Sequence, residues 1–434
     1  MSTSAAGRSP TAGLEHLILC GLGSSGDVHP FVGLGRELVR RGYRVTVLAA
    51  GYFRDLVERA GLGFVDPWPE ADFRDTIRDE RIWHPLRGPR TIIDRAVRPL
   101  LEPVHRIIVE RQTAGATLVV GSSLAFGARV AQESHGIPLV TVHLSPALFR
   151  SSFETARLPG LFVHVGPAWF RRAQWRLVDG LVADPAICPW LNAFRSRFGL
   201  RPARRIWGEW MHSPLAVLGM FPEWFAPPQP DWPPRTQLTG FPLYSEEGVV
   251  EPSAADAEWV EAERPLVFTP GSANVFGHAF FAAAADACRR LGRPGLLLTR
   301  FPEQVPRALP PGVRHCDFLP FRWLLRRAAA LVHHGGIGSA SQALAAGVPQ
   351  LIMPLAFDQF DNAARIERLG VGGSLVPRRF TGPAVARILD DLCGDAAVHG
   401  RCAAVAARLA GDDGLVQAAD GVERAWIAHT TGRP

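Results

Sequence analysis

The 434-residue sequence predicts an α/β protein built as two doubly wound, Rossmann-like domains in series, facing a central cleft. Three observations carry that prediction. Apolar strand-like runs alternate with segments of helical spacing from His16 to Leu144. The same rhythm restarts beyond a proline-dense stretch at 221–242. In both halves the strands end in glycine- and serine-rich turns that open helices. A chain of this length exceeds one ordinary core. The expected division is a first domain over 14–225, a stiff Pro-rich linker over 226–240 and a second domain over 241–415. A C-terminal helix and tail over 416–434 is expected to return to the first domain.

The elements follow in order. "HLILC" reads as a strand, "VHPFVGLGRELVRRG" as a helix, "YRVTVLAA" as a strand and "GYFRDLVERAG" as a helix. "TLVVGSS", "LAFGARVAQESHG" and "IPLVTVHL" continue the alternation. Residues 150–212 break it with helices or loops, and Phe149, Phe153, Phe162, Trp169, Phe170, Trp175 and Trp190 fall in or beside this insert. The second half runs through strands "PLVF", "GLLLT", "VRHCDF", "ALVHH" and "QLIMP". Helices lie between them, and further helices at 382–411 and 414–429 close the chain.

Composition narrows the function. The 47 basic residues are all arginine, so no Schiff-base lysine and no P-loop lysine exist. Net charge is +6, yet the arginines are scattered, which argues against nucleic acid. Six cysteines stand far apart without a CxxC pair, so neither a metal nor a redox site is expected. The first residues lack an apolar core for a leader, and no run is long enough to span a bilayer. The expected location is the cytoplasm, with peripheral membrane contact left open.

Four turns carry candidate chemistry. "HHGGIGSA" at 333–340 follows a strand and opens a helix. Glycines there let backbone amides approach an anion, and the helix N-terminus favours negative charge. His333, Gly335, Gly336, Gly338 and Ser339 are therefore candidates for a diphosphate site. "GSAN" occupies the equivalent turn after the first strand of that half, where Ser272 could touch the same phosphate. "FDQFDN" places Asp358 and Gln359 at another strand end, suited either to sugar hydroxyls or to a helix cap. "GSSGDVHP" brings Asp27 and His29 to the first turn of the first half, as bases or, for Asp27, as a cap.

Taken together these turns resemble the GT-B glycosyltransferases of family 1. The likeness runs from "GSSGDVHPFVGLGREL" to the long stretch "FLPFRWLLRRAAALVHHGGIGSASQALAAGVPQLIMPLAFDQFDN". It implies a nucleoside-diphosphate-sugar donor and no further cofactor. It also implies that His333 contacts the donor diphosphate, that Phe318 stacks on the base and that Asp358 and Gln359 hold the sugar. Asp27 stands where many members have a basic histidine. Gly121 and Ser122 stand near the usual place of its partner aspartate, so Asp27 would act alone, with His29 in reserve. Ser341 occupies the place, eight residues past the donor histidine, of a ribose-binding glutamate, which favours a deoxyribose nucleotide.

A narrower likeness, in "WMHSP" and "FPEWFAPPQPDWP", is to the bacterial rhamnosyltransferases of mono-rhamnolipid synthesis. It implies dTDP-L-rhamnose as donor and a 3-(3-hydroxyalkanoyloxy)alkanoate as acceptor. An arginine among Arg90, Arg95, Arg98 and Arg150 would receive the carboxylate. UDP-glucose or another dTDP-sugar with a sterol, hopanoid or polyketide alcohol is the alternative reading. A non-catalytic sugar-nucleotide-binding activator and an epimerase are readings of other classes.

Overall fold

The computed structural model describes residues 11–159, 163–246 and 250–432. The first sheet contains β1 (His16–Cys20), β2 (Arg44–Ala50), β3 (Gly63–Trp68), β4 (Thr117–Ser122), β5 (Leu139–His143), β6 (Ala216–Gly219) and β7 (Thr236–Leu238). All seven strands are parallel, in the order β3-β2-β1-β4-β5-β6-β7. The second sheet contains β8 (Leu266–Thr269), β9 (Gly295–Leu298), β10 (Val313–Cys316), β11 (Ala330–His333), β12 (Gln350–Ile352) and β13 (Gly372–Ser374). It too is parallel, in the order β10-β9-β8-β11-β12-β13. Strands β1, β4 and β5 are buried along their whole length, as parallel strands covered on both faces must be.

The order reverses beside β1 in one sheet and beside β8 in the other. At such switch points neighbouring loops part, and a crevice opens beyond the carboxyl ends of the strands. The turns of interest therefore face one region, between the domains.

The expected domain boundary needs correction. Residues 226–240 are not a free linker, because β7 is the edge strand of the first sheet. The prolines flank a three-residue edge strand, a place where missing N–H groups are tolerated. Aromatic residues of this stretch also anchor the second domain: Phe225 and Phe241 share a core with Ala340, Leu344, Ile366 and Val405. Arg365 donates from Nη1 to the Phe225 carbonyl at 2.9 Å.

The final helix, Gly414–Thr431, lies on helix Ser25–Arg40 of the first domain. Buried Arg41 fastens it, with Nη1 2.6 Å from Asp420 and 2.7 Å from Glu423. Trp426 enters the first-domain core, and its Nε1 donates to the Ala12 carbonyl. Of the insert aromatics, Phe149 and Trp175 are buried, whereas Phe153 and Trp169 are exposed. Phe162 lies outside the described residues, as does most of the N-terminal segment expected to lack a leader. Among the described residues no helix is long and apolar enough to cross a membrane.

Candidate active site

The second-domain turn begins where β11 ends. His333 is the strand's last residue and is fully buried. Its Nδ1 accepts from the Gly335 N–H at 3.1 Å, so Nε2 carries the proton and donates to Gln350 Oε1 at 3.1 Å. Burial pulls its pKa down to about 3, and it stays neutral. Both nitrogens are spent inside the domain. The expectation that His333 meets the diphosphate is therefore corrected: it braces the turn from below.

The neighbouring residue is the one turned to the cleft side of the turn. His334 is the first residue past the strand and points the other way, as alternation along a strand requires. It sits between two glycine turns. A Cβ on Gly271 would lie 2.7 Å from its Cε1, and one on Gly336 would lie 2.6 Å from its Nε2. Its Nδ1 is buried with no hydrogen-bond partner among the described residues. Burial lowers its pKa to about 4, so near neutral pH it is an uncharged imidazole able to donate one hydrogen bond. Ligands sit beyond strand ends, and the observed end of β11 puts 334, not 333, beyond it.

Gly335 has φ +94°, and a Cβ there would lie 2.8 Å from Ile352 Cγ2, so only glycine fits. Gly336 is the N-cap of helix Ile337–Ala346, whose first turn holds Gly338 and Ser339. No side chain caps it, and its first intrahelical donor is the Ala340 N–H. The N–H groups of Ile337, Gly338 and Ser339 are thus aimed outward. Exposed Ser272 lies beside them, in the turn after β8 that touches His334.

With His334 as the anchor, the eighth residue on is Gln342 rather than Ser341. Ser341 is buried, with Oγ donating to the Gly338 carbonyl. Gln342 donates to the Tyr244 carbonyl at 3.0 Å. Phe318 follows β10, half-buried, with the Arg300 guanidinium 4.8 Å over its ring. Sequence reasoning passed over Arg300, which brings a cation to this strand end.

Asp358 and Gln359 part company. Asp358 is the N-cap residue of helix Gln359–Leu369, and Oδ2 accepts from Asn362 Nδ2 at 2.8 Å. Burial raises its pKa, opposed by the Asn362 and Ser145 hydrogen bonds. Gln359 is buried, and Oε1 accepts from the Leu355 and Ala356 N–H groups at 2.7 and 3.0 Å. It shapes the loop, with its amide nitrogen left for a ligand. Just before them Phe357 has φ +57°, a strained state for a non-glycine residue, and its ring meets Trp83 of the first domain at 6.4 Å. Asn362 joins the parts: it also donates to the Gly335 carbonyl at 2.9 Å and accepts from Ser145 of the first domain.

Asp27 faces this from the first domain. It lies in the first turn of helix Ser25–Arg40, where Oδ2 accepts from the Ser24 N–H at 2.8 Å and the Ser24 hydroxyl at 3.1 Å. Gly23, at φ +137°, makes room; a Cβ there would lie 2.3 Å from Oδ2. Burial pushes the Asp27 pKa up to about 6 against the Ser24 bonds, and the charge of Asp358 across the cleft adds to the rise. His29, two residues on, faces elsewhere. Its Nδ1 donates to the Ser25 carbonyl at 2.9 Å, and Nε2 lies 3.4 Å from Glu246. The lone pair a base would need is turned to a carboxylate. Ser122 ends β4, and its Oγ is buried with no partner among the described residues.

The four arginines are not equivalent. Arg90 pairs with Asp94, Arg95 with Asp75 and Asp79, and half-buried Arg150 with Asp179. Arg98 is exposed. Three of the four thus already have carboxylate partners.

Two parallel α/β domains, with a helix N-terminus and a carboxylate facing each other across the gap, define a GT-B sugar-nucleotide transferase. Comparisons agree. Residues 17–153 match the glycosyltransferase family 28 N-terminal domain. Residues 299–416 match the erythromycin biosynthesis protein CIII-like C-terminal domain. The O-mycaminosyltylonolide 6-deoxyallosyltransferase of Streptomyces fradiae is 31% identical over 442 residues, covering 96% of this chain and 100% of that one. The glycotransferase of kitacinnamycin superposes with a TM-score of 0.70 at 22% identity, over 95% of this chain and 99% of that one. The spinosyn rhamnosyltransferase SpnG complexed with thymidine diphosphate gives a TM-score of 0.63 at 17% identity, over 97% and 100%. The chain belongs to the GT-B glycosyltransferase family that includes the Streptomyces fradiae enzyme, and it is a glycosyltransferase using a nucleotide sugar.

Proposed function

We propose that the chain transfers a 6-deoxyhexose from a dTDP-sugar to a hydroxyl of a large apolar acceptor, with inversion at the anomeric carbon. The observation that carries this is Asp27, a carboxylate held in the cleft with a pKa near 6, set against the unfilled helix N-terminus beside His334. Asp27 takes the acceptor proton as that oxygen attacks the anomeric carbon. The bond to the diphosphate breaks, and its electron pair leaves with the nucleotide. His334 and the N–H groups of 337–339 stabilise the departing charge. Asp358 and the Gln359 amide orient the sugar, and Phe318 carries the base. A pKa raised toward neutrality makes Asp27 a better match for an alcohol proton than an ordinary carboxylate.

The named relatives support the nucleotide and the sugar class: one is a 6-deoxyallosyltransferase, and SpnG was solved with thymidine diphosphate. Gln342, in place of an acid near the ribose, fits a deoxyribose nucleotide. Within this class the sequence likeness favours L-rhamnose and a hydroxyalkanoyloxyalkanoate. A polyketide alcohol is the second reading, favoured by full-length similarity to the Streptomyces fradiae enzyme and by the carboxylate partners already held by Arg90, Arg95 and Arg150.

The test is a donor-by-acceptor turnover assay read by mass spectrometry. dTDP-L-rhamnose and UDP-glucose are each offered with the lipid acid, a sterol and a macrolide aglycone. A rhamnosylated lipid acid establishes the narrow form and a glycosylated macrolide the second. Turnover with UDP-glucose alone overturns the dTDP assignment.

A further inference from the structure

The insert carries a helix that hardly belongs to the core. Of the eleven residues in helix Ala168–Val178, only Trp175 is buried. A π-type turn, Asp179–Ala183, continues it. Together they expose a run of large apolar side chains: Val165 at 75%, Trp169 at 70%, Leu177 at 61%, Leu181 at 69% and Val182 at 63%. Trp169, Ala173, Leu177 and Leu181 recur every four residues, which draws one stripe along the helix. Contiguous exposed apolar surface of this kind marks a docking site.

Charge selects what docks there. Between Glu154 and Asp179 the chain has no acidic residue and four arginines, Arg157, Arg171, Arg172 and Arg176. Arg172 and Arg176 flank the apolar stripe, are exposed and have no ion pair among the described residues. Arg204 and Arg205 lie beside the π-type turn, but the Arg205 guanidinium is paired with Glu209 and its N–H bonds to Asp184, so Arg172 and Arg176 carry the unpaired charge. Asp179, the one acid in the turn, is buried on Arg150. An apolar stripe with tryptophan at one end and unpaired arginines along its edge is suited to the interface of an anionic bilayer.

We infer that residues 163–183 form a membrane-docking surface that seats the protein on anionic lipid. The insert starts at the cleft: the Arg157 N–H donates to Asp361 Oδ1 at 2.9 Å, on the helix that Asp358 caps. A bilayer held there would deliver apolar acceptor to the mouth of the site. Vesicle binding is read without donor or acceptor, so this inference stands or falls apart from the proposed reaction.

The experiment is co-sedimentation of the full chain with vesicles of phosphatidylcholine alone and of phosphatidylcholine mixed equally with phosphatidylglycerol. Tenfold or greater enrichment on the anionic vesicles, lost at high salt, is expected. The double variant Arg172→Glu/Arg176→Glu should reduce binding by at least about twenty-fivefold, from about fivefold per arginine lost. Leu181→Glu/Val182→Glu should abolish it, with circular dichroism and melting unchanged, because those side chains are exposed. Equal binding to both vesicle types, or none, overturns the inference. So does light scattering that shows the stripe pairing two copies of the chain, with Leu181→Glu/Val182→Glu returning it to a monomer.

Discussion

The turns after β1 and after β11 have the same backbone plan and opposite chemistry. Each ends a buried parallel strand, bends through one glycine with positive φ and starts a helix at the cleft. After β1, the helix start is occupied by its own acid, since Asp27 accepts from the Ser24 N–H and hydroxyl. After β11, no side chain fills the equivalent position, and three N–H groups remain for an external anion. On the proposed mechanism, one residue thus converts an anion site into a base. The fold supplies two positive helix ends, and the side chain in the first turn decides what each does.

The largest effect should come from removing the acid. Asp27→Asn keeps the hydrogen bonds to Ser24 but cannot take a proton. A fall in kcat of about 10²–10⁴ is expected, with donor affinity little changed. Isothermal titration with dTDP separates the two; near-normal turnover would return the search to His29 or Ser122.

The next largest contrasts adjacent histidines. His334→Ala should lower kcat by about 10²–10³ and weaken dTDP binding, leaving the melting temperature near the parent's. His333→Ala should do the reverse in kind. It leaves Gln350 Oε1 and the Gly335 N–H without their His333 bonds inside the core and costs about 2–4 kcal/mol of stability. If His333→Ala spared stability while removing dTDP binding, the roles of the two histidines would be exchanged.

This pair also shows how far the sequence could be read. Alternating strands and helices gave both parallel sheets, because periodicity is local. β3, β6, β7 and β13 escaped: "AVLG", "TQL" and "GGS" are only three or four residues long, "TQL" lies among prolines that read as linker, and "GFVDPW" carries a proline of its own. The site was legible as turns but not as side-chain directions. One residue of register separates a buried histidine from one facing the cleft, and "HHGG" does not say where its strand stops. Asp27 could be named, but its raised pKa needs burial in the folded cleft, to which the charge of Asp358, more than 300 residues away, adds. Gln359 looked like a sugar ligand, and only the path of residues 354–358 shows its Oε1 holding backbone. Arg300 had no motif to mark it.

The smallest expected effects concern what Asp27 costs the fold. Its carboxyl is held at about 6 against an ordinary 3.8, chiefly by burial. An acid with a raised folded pKa is penalised when ionised, so the penalty is absent below about pH 4, grows through the window to about 6 and is complete above it. The same ionisation switches on the base, so kcat/KM should fall about tenfold per pH unit below about 6. Two pKa units amount to at most about 3 kcal/mol, and water in the open cleft reduces that to about 1–2 kcal/mol. Asp27→Asn should therefore be more stable than the parent at pH 7 by that amount, yet equal to it at pH 4. Denaturant unfolding at both values measures the difference. Equal stability at pH 7 would mean that the two Ser24 hydrogen bonds offset the burial, and the acidic limb of the rate profile should then move toward pH 4. The second turn should show the opposite sign: burial lowers the His334 pKa to about 4, so its penalty is absent at pH 7 and grows as pH falls toward 4, and His334→Ala should gain on the parent at pH 4 rather than at pH 7.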